Sequence, residues 1–242
     1  MKYPKVNSYL TIDDAPCEKL EKKIDFLEKH HIKAIWFCCG KDLKQYPELA
    51  EAIIQAGHVL ANHSMDHGFF SELTVDEARY QILECDNIIE EIYSKAGIKR
   101  PGKFFRFPYL DNGQKADYGR TDWQHPHVMA IQKILKNRGY EHPPFKNINH
   151  PWYKQGGFDR CINVDCSYDS RDWALAAGNE SFGFHSLDDL VARLEQEFPS
   201  EGRDIDSNEI VLTHAWVPFD IYSGLIKRML EKSFHFILPE IL

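Results

Sequence analysis

The chain has 242 residues, a net charge of −8, and 43% apolar and 27% charged residues, the balance of a water-soluble globular protein. Its acidity and the lack of any basic run exclude a nucleic-acid surface. No stretch reaches the ~18 apolar residues of a transmembrane span.

Val6 to Ile12 reads as a buried strand ending in Asp13-Asp14-Ala15-Pro16, and Leu20, Ile24 and Leu27 give Cys17 to His31 a helical period. Ala34 to Cys39 is a second apolar run closed by Gly40, followed by a short helix over Pro47 to Gln55 that stops at Gly57. A strand over His58 to Ala61 leads into His63-Ser64-Met65-Asp66-His67. Thr74 to Lys95 is a long amphipathic helix, with Thr74 as N-cap and Glu77 as its capping-box partner. Phe104 to Phe107 reads as a fourth strand halted by Pro108.

The pattern then breaks down from Leu110 to Phe158, apart from a helical period over His127 to Asn137. An irregular segment of this length is expected to be functional, and we read 110–158 as an inserted rim or lid, with a surface excursion or subunit contact as the competing reading. Cys161 to Val164 resumes as a strand ending at Asp165. Leu187 to Phe198 is a helix with Ser186 as cap and Asp189 nearby, Pro199 to Asn208 a polar loop, and Ile210 to Thr213 a strand ending at His214. Ile221 to Lys232 is a helix and Phe234 to Leu238 a last strand. Alternating strands and helices mean βαβ units and a mainly parallel sheet. Apolar runs buried on both faces favour a barrel or a doubly covered sheet. No repeat or linker divides residues 1–242, so one domain is expected.

No apolar leader follows Met1, and the six cysteines form no CxxC pair. The expectations are a cytoplasmic protein with free thiols.

In parallel α/β folds the site lies at the carboxyl ends of the strands, and here Asp13-Asp14, His63, Arg106 and His214 occupy such ends. On a helical turn, His63 and His67 would share one face about 6 Å apart. That is the reach for two neutral imidazoles to grip one zinc-like ion, with a third ligand still required. Asp13 and Asp14 either cap the next helix or supply that ligand and a general base. Arg106, set among phenylalanines, needs a carboxylate, and Asp13 is a candidate. His214 is either a core histidine or a general acid oriented by Asp172. Asp165 and Asp169 read as turn residues.

Five segments in order resemble the motifs of NodB-like polysaccharide deacetylases, carbohydrate esterase family 4. They are Thr11-Ile12-Asp13-Asp14, His63-Ser64-Met65-Asp66-His67, Arg106-Phe107-Pro108-Tyr109, Asp169-Ser170-Arg171-Asp172-Trp173 and Leu212-Thr213-His214. The resemblance implies a distorted (β/α) barrel and a divalent metal, zinc foremost with cobalt or nickel as alternatives. It implies removal of acetyl from N-acetylated amino sugars in a polysaccharide, oligosaccharide or glycan precursor. By that resemblance Asp14, His63 and His67 are ligands, Asp13 is the base held by Arg106, and His214 is the acid tuned by Asp172. Trp173 and Leu212 wall the acetyl pocket, and the Tyr109 backbone N–H serves the oxyanion. Ala15, Leu110 and Ala215 stand where the family commonly has Gly, Gly and an acid. Two competing readings are a relative that acts on a cyclic ureide, cyclic imide or O-acetyl ester, and a non-catalytic carbohydrate-binding protein.

Overall fold

Successive side chains of a strand point to opposite faces, and here both faces are apolar. The computed structural model describes residues 6–115, 121–179, 182–198 and 206–241. Its strands are β1 (Val6–Ala15), β2 (Ile35–Cys38), β3 (Val59–Asn62), β4 (Tyr168–Asp169), β5 (Glu209–His214) and β6 (Phe234–Phe236). They form one sheet in the order β3-β2-β1-β5-β4, with β6 paired to the start of β1. Every pairing among the described residues is parallel.

Tyr9, Ile35, Phe37, Val59, Ala61 and Ile210 point inward and pack together. Their neighbours Leu10, Ile12, Trp36, Leu60 and Val211 point outward into a second core. The helices covering the outer face are α1 (Glu21–Lys29), α2 (Gly40–Gln45), α3 (Pro47–Gln55), α4 (Val75–Ala96), α5 (Pro126–Asn137), α6 (Pro151–Gln155), α7 (Asp172–Ala176), α8 (Leu187–Glu197) and α9 (Phe219–Glu231), though α6 instead sends Tyr153 to the inward core. Helix α4 starts with the expected reciprocal Thr74–Glu77 box and ends at Gly97 in the left-handed conformation (φ 67°). None of the described helices is long and apolar enough to cross a membrane.

The ring of strands is closed by a few isolated backbone hydrogen bonds. Phe104 to Phe107, expected as a strand, makes one parallel bridge, Asn62 to Phe105. Asn62 N donates to Phe104 O (2.9 Å) and Arg106 N to Asn62 O (3.1 Å). On the far side Val164 N donates to Phe105 O (2.7 Å), and Ser167 N then donates to Ile210 O beside β4 (3.0 Å). Cys161 to Val164 is therefore a seam rather than the expected strand, and the strand lies later, at β4. This is the distorted, mainly parallel (β/α) barrel that the motifs imply. Helices α2, α6 and α7 have at most six residues each, too few to show a 3.6-residue period in sequence.

The described residues of segment 110–158 pack mainly into the cores rather than over the strand ends. Ile148, Tyr153 and Phe158 join the inward core, while Ile131, Ile134 and Leu135 of α5 pack with Ala78 and Ile82 of α4. Residues 116–120 of the segment and 199–205 of the expected polar loop lie outside the described residues.

Candidate functional site

Parity along β1 puts Tyr9, Thr11 and Asp13 on the inward face, and Asp14 should point outward. It does not, because its backbone is left-handed (φ 61°) and the β1–β2 register shifts between Asp13 and Ala15. Both carboxylates thus face one cavity. Six of the ten described non-glycine residues with positive φ lie at this cavity or in its loops: Asp14, Ser64, His67, Tyr109, Leu110 and Arg171. Backbone strain gathered in one place marks a site the rest of the fold holds in position.

Residues 63–67 form a loop, not the helical turn expected, since Ser64 (φ 70°) and His67 (φ 60°) cannot belong to a right-handed helix. Side chains from neighbouring elements fix it. Asn62 Oδ1 accepts from Ser64 N (2.8 Å), and Gln81 Oε1 accepts from Met65 N (3.0 Å) and Asp66 N (2.8 Å). The imidazole centroids still lie 5.0 Å apart. Gly40 supports the loop from beneath, its N–H donating to Ser64 O (2.9 Å). A Cβ on Gly40 would meet Met65 Sδ at 2.3 Å and Met65 Cα at 3.3 Å. Gly40→Ala should cost about 1–3 kcal/mol through overpacking and displace the loop. Thermal melting together with zinc titration checks this, and unchanged values of both would refute it.

His63 Nδ1–H donates to the Arg106 carbonyl (2.9 Å). A carbonyl only accepts, so the lone pair is left on Nε2. That Nε2 lies 3.5 Å from Asp14 Oδ1 and 3.6 Å from Asp13 Oδ2. His67 Nε2 is 2.9 Å from Asp14 Oδ1, yet that buried oxygen accepts no well-directed hydrogen bond. Burial holds the His63 pKa below its ordinary value despite the nearby Asp13 and Asp14 charges. Burial opposes the Asp14 charge, but the adjoining His67 and His63 imidazoles outweigh it and hold this carboxyl well below the usual range. Donor atoms of Asp14, His63 and His67 all lie within 4.8 Å of one another, the one such cluster among the described residues. One carboxylate oxygen and two imidazole nitrogens, converging without another partner, fit a divalent cation.

Asp13 is held from behind. Arg106, fully buried, donates through Nη1 to Asp13 Oδ1 (2.7 Å) and Thr11 Oγ1 (2.8 Å), and through Nε to Val164 O (3.2 Å). Its guanidinium lies 4.3 Å from the Phe37 ring centroid. Across the cavity, Asp172 receives two bonds from His214, the ring Nδ1–H to Oδ1 (2.8 Å) and the backbone N–H to Oδ2 (2.9 Å). Burial disfavours the His214 charge, but the Asp172 carboxylate prevails and its pKa is raised to about 9.

The cavity, about 350 Å³, is lined by Asp13, Asp14, His63, His67 and His214, with Tyr109, Leu110, Trp173, Leu212, Asp169, Arg171 and Trp216 around them, while Arg106 and Asp172 stand behind. Of the described residues of segment 110–158, Leu110 alone lines it. Leu110 adopts φ 54°, a conformation costing a residue with a Cβ about 1–2 kcal/mol, which is the physical reason a glycine suits that position. Ala215 is buried, and its N–H donates to Asp13 O (2.8 Å). Asp169 makes the expected turn, accepting from Arg171 N (2.9 Å).

Three contributors escape the sequence reading. Trp216 Nε1–H donates to Asp14 Oδ2 (2.9 Å). Buried Lys23 donates to the carbonyls of His214 (3.0 Å) and Ala215 (2.7 Å), pinning the end of β5. Thr11 Oγ1 links Arg106 to Val211 O (2.7 Å). Only Thr11 carried a sequence signal, its place two residues before Asp13 on the same strand face.

Comparison with known proteins agrees with this geometry. A family model described as polysaccharide deacetylase matches residues 2–126. The chain is 33% identical over 108 residues to a peptidoglycan-N-acetylglucosamine deacetylase of Bacillus cereus, a match covering 44% of this chain and 38% of that protein. It is 26% identical over 206 residues to a peptidoglycan-N-acetylmuramic acid deacetylase of Bacillus subtilis, covering 79% of this chain and 74% of the relative. Its fold is similar to that of a family 4 carbohydrate esterase from Streptomyces lividans in complex with acetate. The TM-score is 0.63 at 18% identity, over 96% of this chain and 91% of the other. With five ordered motifs gathered at one cavity and the family model spanning just over half its length, the chain belongs to the NodB-like polysaccharide deacetylases of carbohydrate esterase family 4.

Proposed function

We propose that this protein is a metal-dependent hydrolase that removes acetyl from N-acetylated amino sugars in a polysaccharide, oligosaccharide or glycan precursor. The observation carrying this reading is the meeting of an Asp–His–His donor set with an Arg-held carboxylate and an Asp-held imidazole around one cavity. The names of the relatives support the substrate class.

Asp14, His63 and His67 would hold the cation, with zinc best matched to one carboxylate and two imidazoles. The chemistry a divalent cation supplies at such a site is polarisation of a carbonyl and acidification of water. Asp13 keeps one oxygen on Arg106 and turns the other to the cavity, where it takes a proton from the attacking water. The Tyr109 backbone N–H donates to the oxygen as negative charge develops. His214, charged at neutral pH, gives its proton to the departing amine, which cannot leave as an anion. Trp173 and Leu212 form apolar walls for the acetyl methyl. A role limited to carbohydrate binding leaves the paired acid and base without a purpose. Acetate release from an N-acetylated glucosamine oligosaccharide tests the reading. Release should vanish on chelation and return with zinc or cobalt, and failure with every N-acetylhexosamine substrate tried would count against it.

The acid can be tested in the metal-free protein by imidazole NMR. His214 should titrate near 9 against its ordinary 6.5, and Asp172→Asn should bring it down by more than about one unit, since burial is then opposed only by the weaker pull of the Asp13 and Asp14 charges. A pKa raised on folding adds stability that is complete below the unfolded value and is lost as pH rises through about 9. Asp172→Asn should therefore flatten the loss of stability between neutral pH and pH 9. A wild-type titration at or below the ordinary value would refute this.

A further inference from the structure

Trp216 sits in the turn between β5 and α9, two residues beyond His214. The residue is 42% exposed, and its ring centroid lies 6.1 Å from that of His214. Its one polar atom points inward, Nε1–H donating to Asp14 Oδ2 at 2.9 Å. The other oxygen of that carboxylate, Oδ1, is buried without a well-directed hydrogen bond and faces both imidazoles. The two oxygens of Asp14 are thus divided between different tasks.

That division has a chemical consequence. The terminal torsion of Asp is broad and roughly two-fold, so a carboxylate held only at its backbone can present either oxygen, or both. Two-oxygen ligation uses an extra coordination position and crowds the side from which substrate and water must arrive. An indole N–H suits the opposite task. It donates but cannot accept, so it neither binds a cation nor takes a proton, and the ring is bulky enough to be held by packing. Partners that orient a ligand are worth roughly 10–100-fold in metal affinity.

We propose that Trp216 is a positioning residue for the metal centre, its indole N–H restricting Asp14 to ligation through Oδ1 alone. This rests on the metal-centre reading above. Trp173, on the same cavity wall, sends its Nε1–H to Asp169 (3.3 Å) rather than to a candidate ligand, and so serves as the control.

The test is zinc titration of the metal-free protein against a chromophoric chelator. Trp216→Phe keeps a ring and removes the donor, and it should weaken zinc binding roughly 10–100-fold with the melting temperature of the metal-free chain unchanged. Trp173→Phe should leave zinc affinity within about twofold. Equal affinity in Trp216→Phe and wild type overturns the proposal. Should Trp216→Phe fail to fold, proton exchange in the zinc-loaded wild type decides. The Trp216 indole N–H should be protected from solvent although the residue is exposed, and exchange at the rate of a free indole overturns the proposal. A wild type that binds no zinc, or whose binding survives Asp14→Ala, overturns the metal-centre reading and this one together. Asp14-dependent zinc binding with no effect of Trp216→Phe overturns this one alone.

Discussion

Asp13→Asn should lower acetate release by roughly 10²–10⁴-fold, the range for removal of a general base, while binding of an N-acetylated oligosaccharide persists. The geometry divides the work of this carboxylate. Oδ1 is engaged by Arg106 at 2.7 Å, and Oδ2 looks toward His63 Nε2 at 3.6 Å, on the cavity side. Asparagine keeps the shape and an oxygen for Arg106 but has no basic atom to receive a proton. The substitution also leaves the fully buried guanidinium without its counter-charge. Stability should therefore drop as well, and removing one partner of a buried pair costs up to about 3–5 kcal/mol. Urea unfolding and a binding isotherm measured beside turnover separate the two effects. Acetate release within threefold of wild type, in a folded variant, would remove Asp13 from the mechanism.

Most of the cavity is legible in the sequence because its groups end apolar runs. Asp13 and His214 each follow residues that bury themselves, so the polar residue lands at the mouth of the barrel, and Arg106, set among phenylalanines, is buried behind Asp13. The conformations between them are not legible. Nothing in His63-Ser64-Met65-Asp66-His67 says loop rather than helical turn. The deciding bonds come from Gln81 on α4 and from Asn62, whose amide is itself held by the Tyr140 hydroxyl (2.6 Å) and the Ile82 carbonyl (2.9 Å). Asp14 likewise reaches the cavity through a left-handed backbone that strand alternation denies. Trp216 is invisible for a plainer reason, since its partner lies 202 residues away in sequence and a tryptophan after an apolar strand is usually core. The closure of the barrel is hidden too. One hydrogen bond at Val164 and one bridge at Phe105 leave no periodic trace, so an apolar run at Cys161 to Val164 imitates a strand.

Arg106→Met should destabilise the protein by about 3–5 kcal/mol, because it strands a buried carboxylate without compensation. For a domain of this size that corresponds to a fall of roughly 10 °C in melting temperature. The position carries more than one ion pair. The Arg106 side chain reaches Thr11 and Asp13 on β1 and the Val164 carbonyl at the seam, while its backbone joins Asn62 and receives the His63 imidazole. Methionine retains much of the buried volume, so a cavity accounts for little of the loss, and the backbone bonds are untouched. What disappears is the charge and its donors. The combined variant Asp13→Asn, Arg106→Met then discriminates between causes. With both charges gone, neither is left alone in the interior, and the double variant should be more stable than Arg106→Met although both lack the staple to Val164. If the two variants unfold at the same urea concentration, stability at this position comes from the seam contact rather than from the charge pair. Recovery of the double variant to wild-type stability would mean that the pair is retained for the reaction, since two uncharged side chains would then serve stability as well.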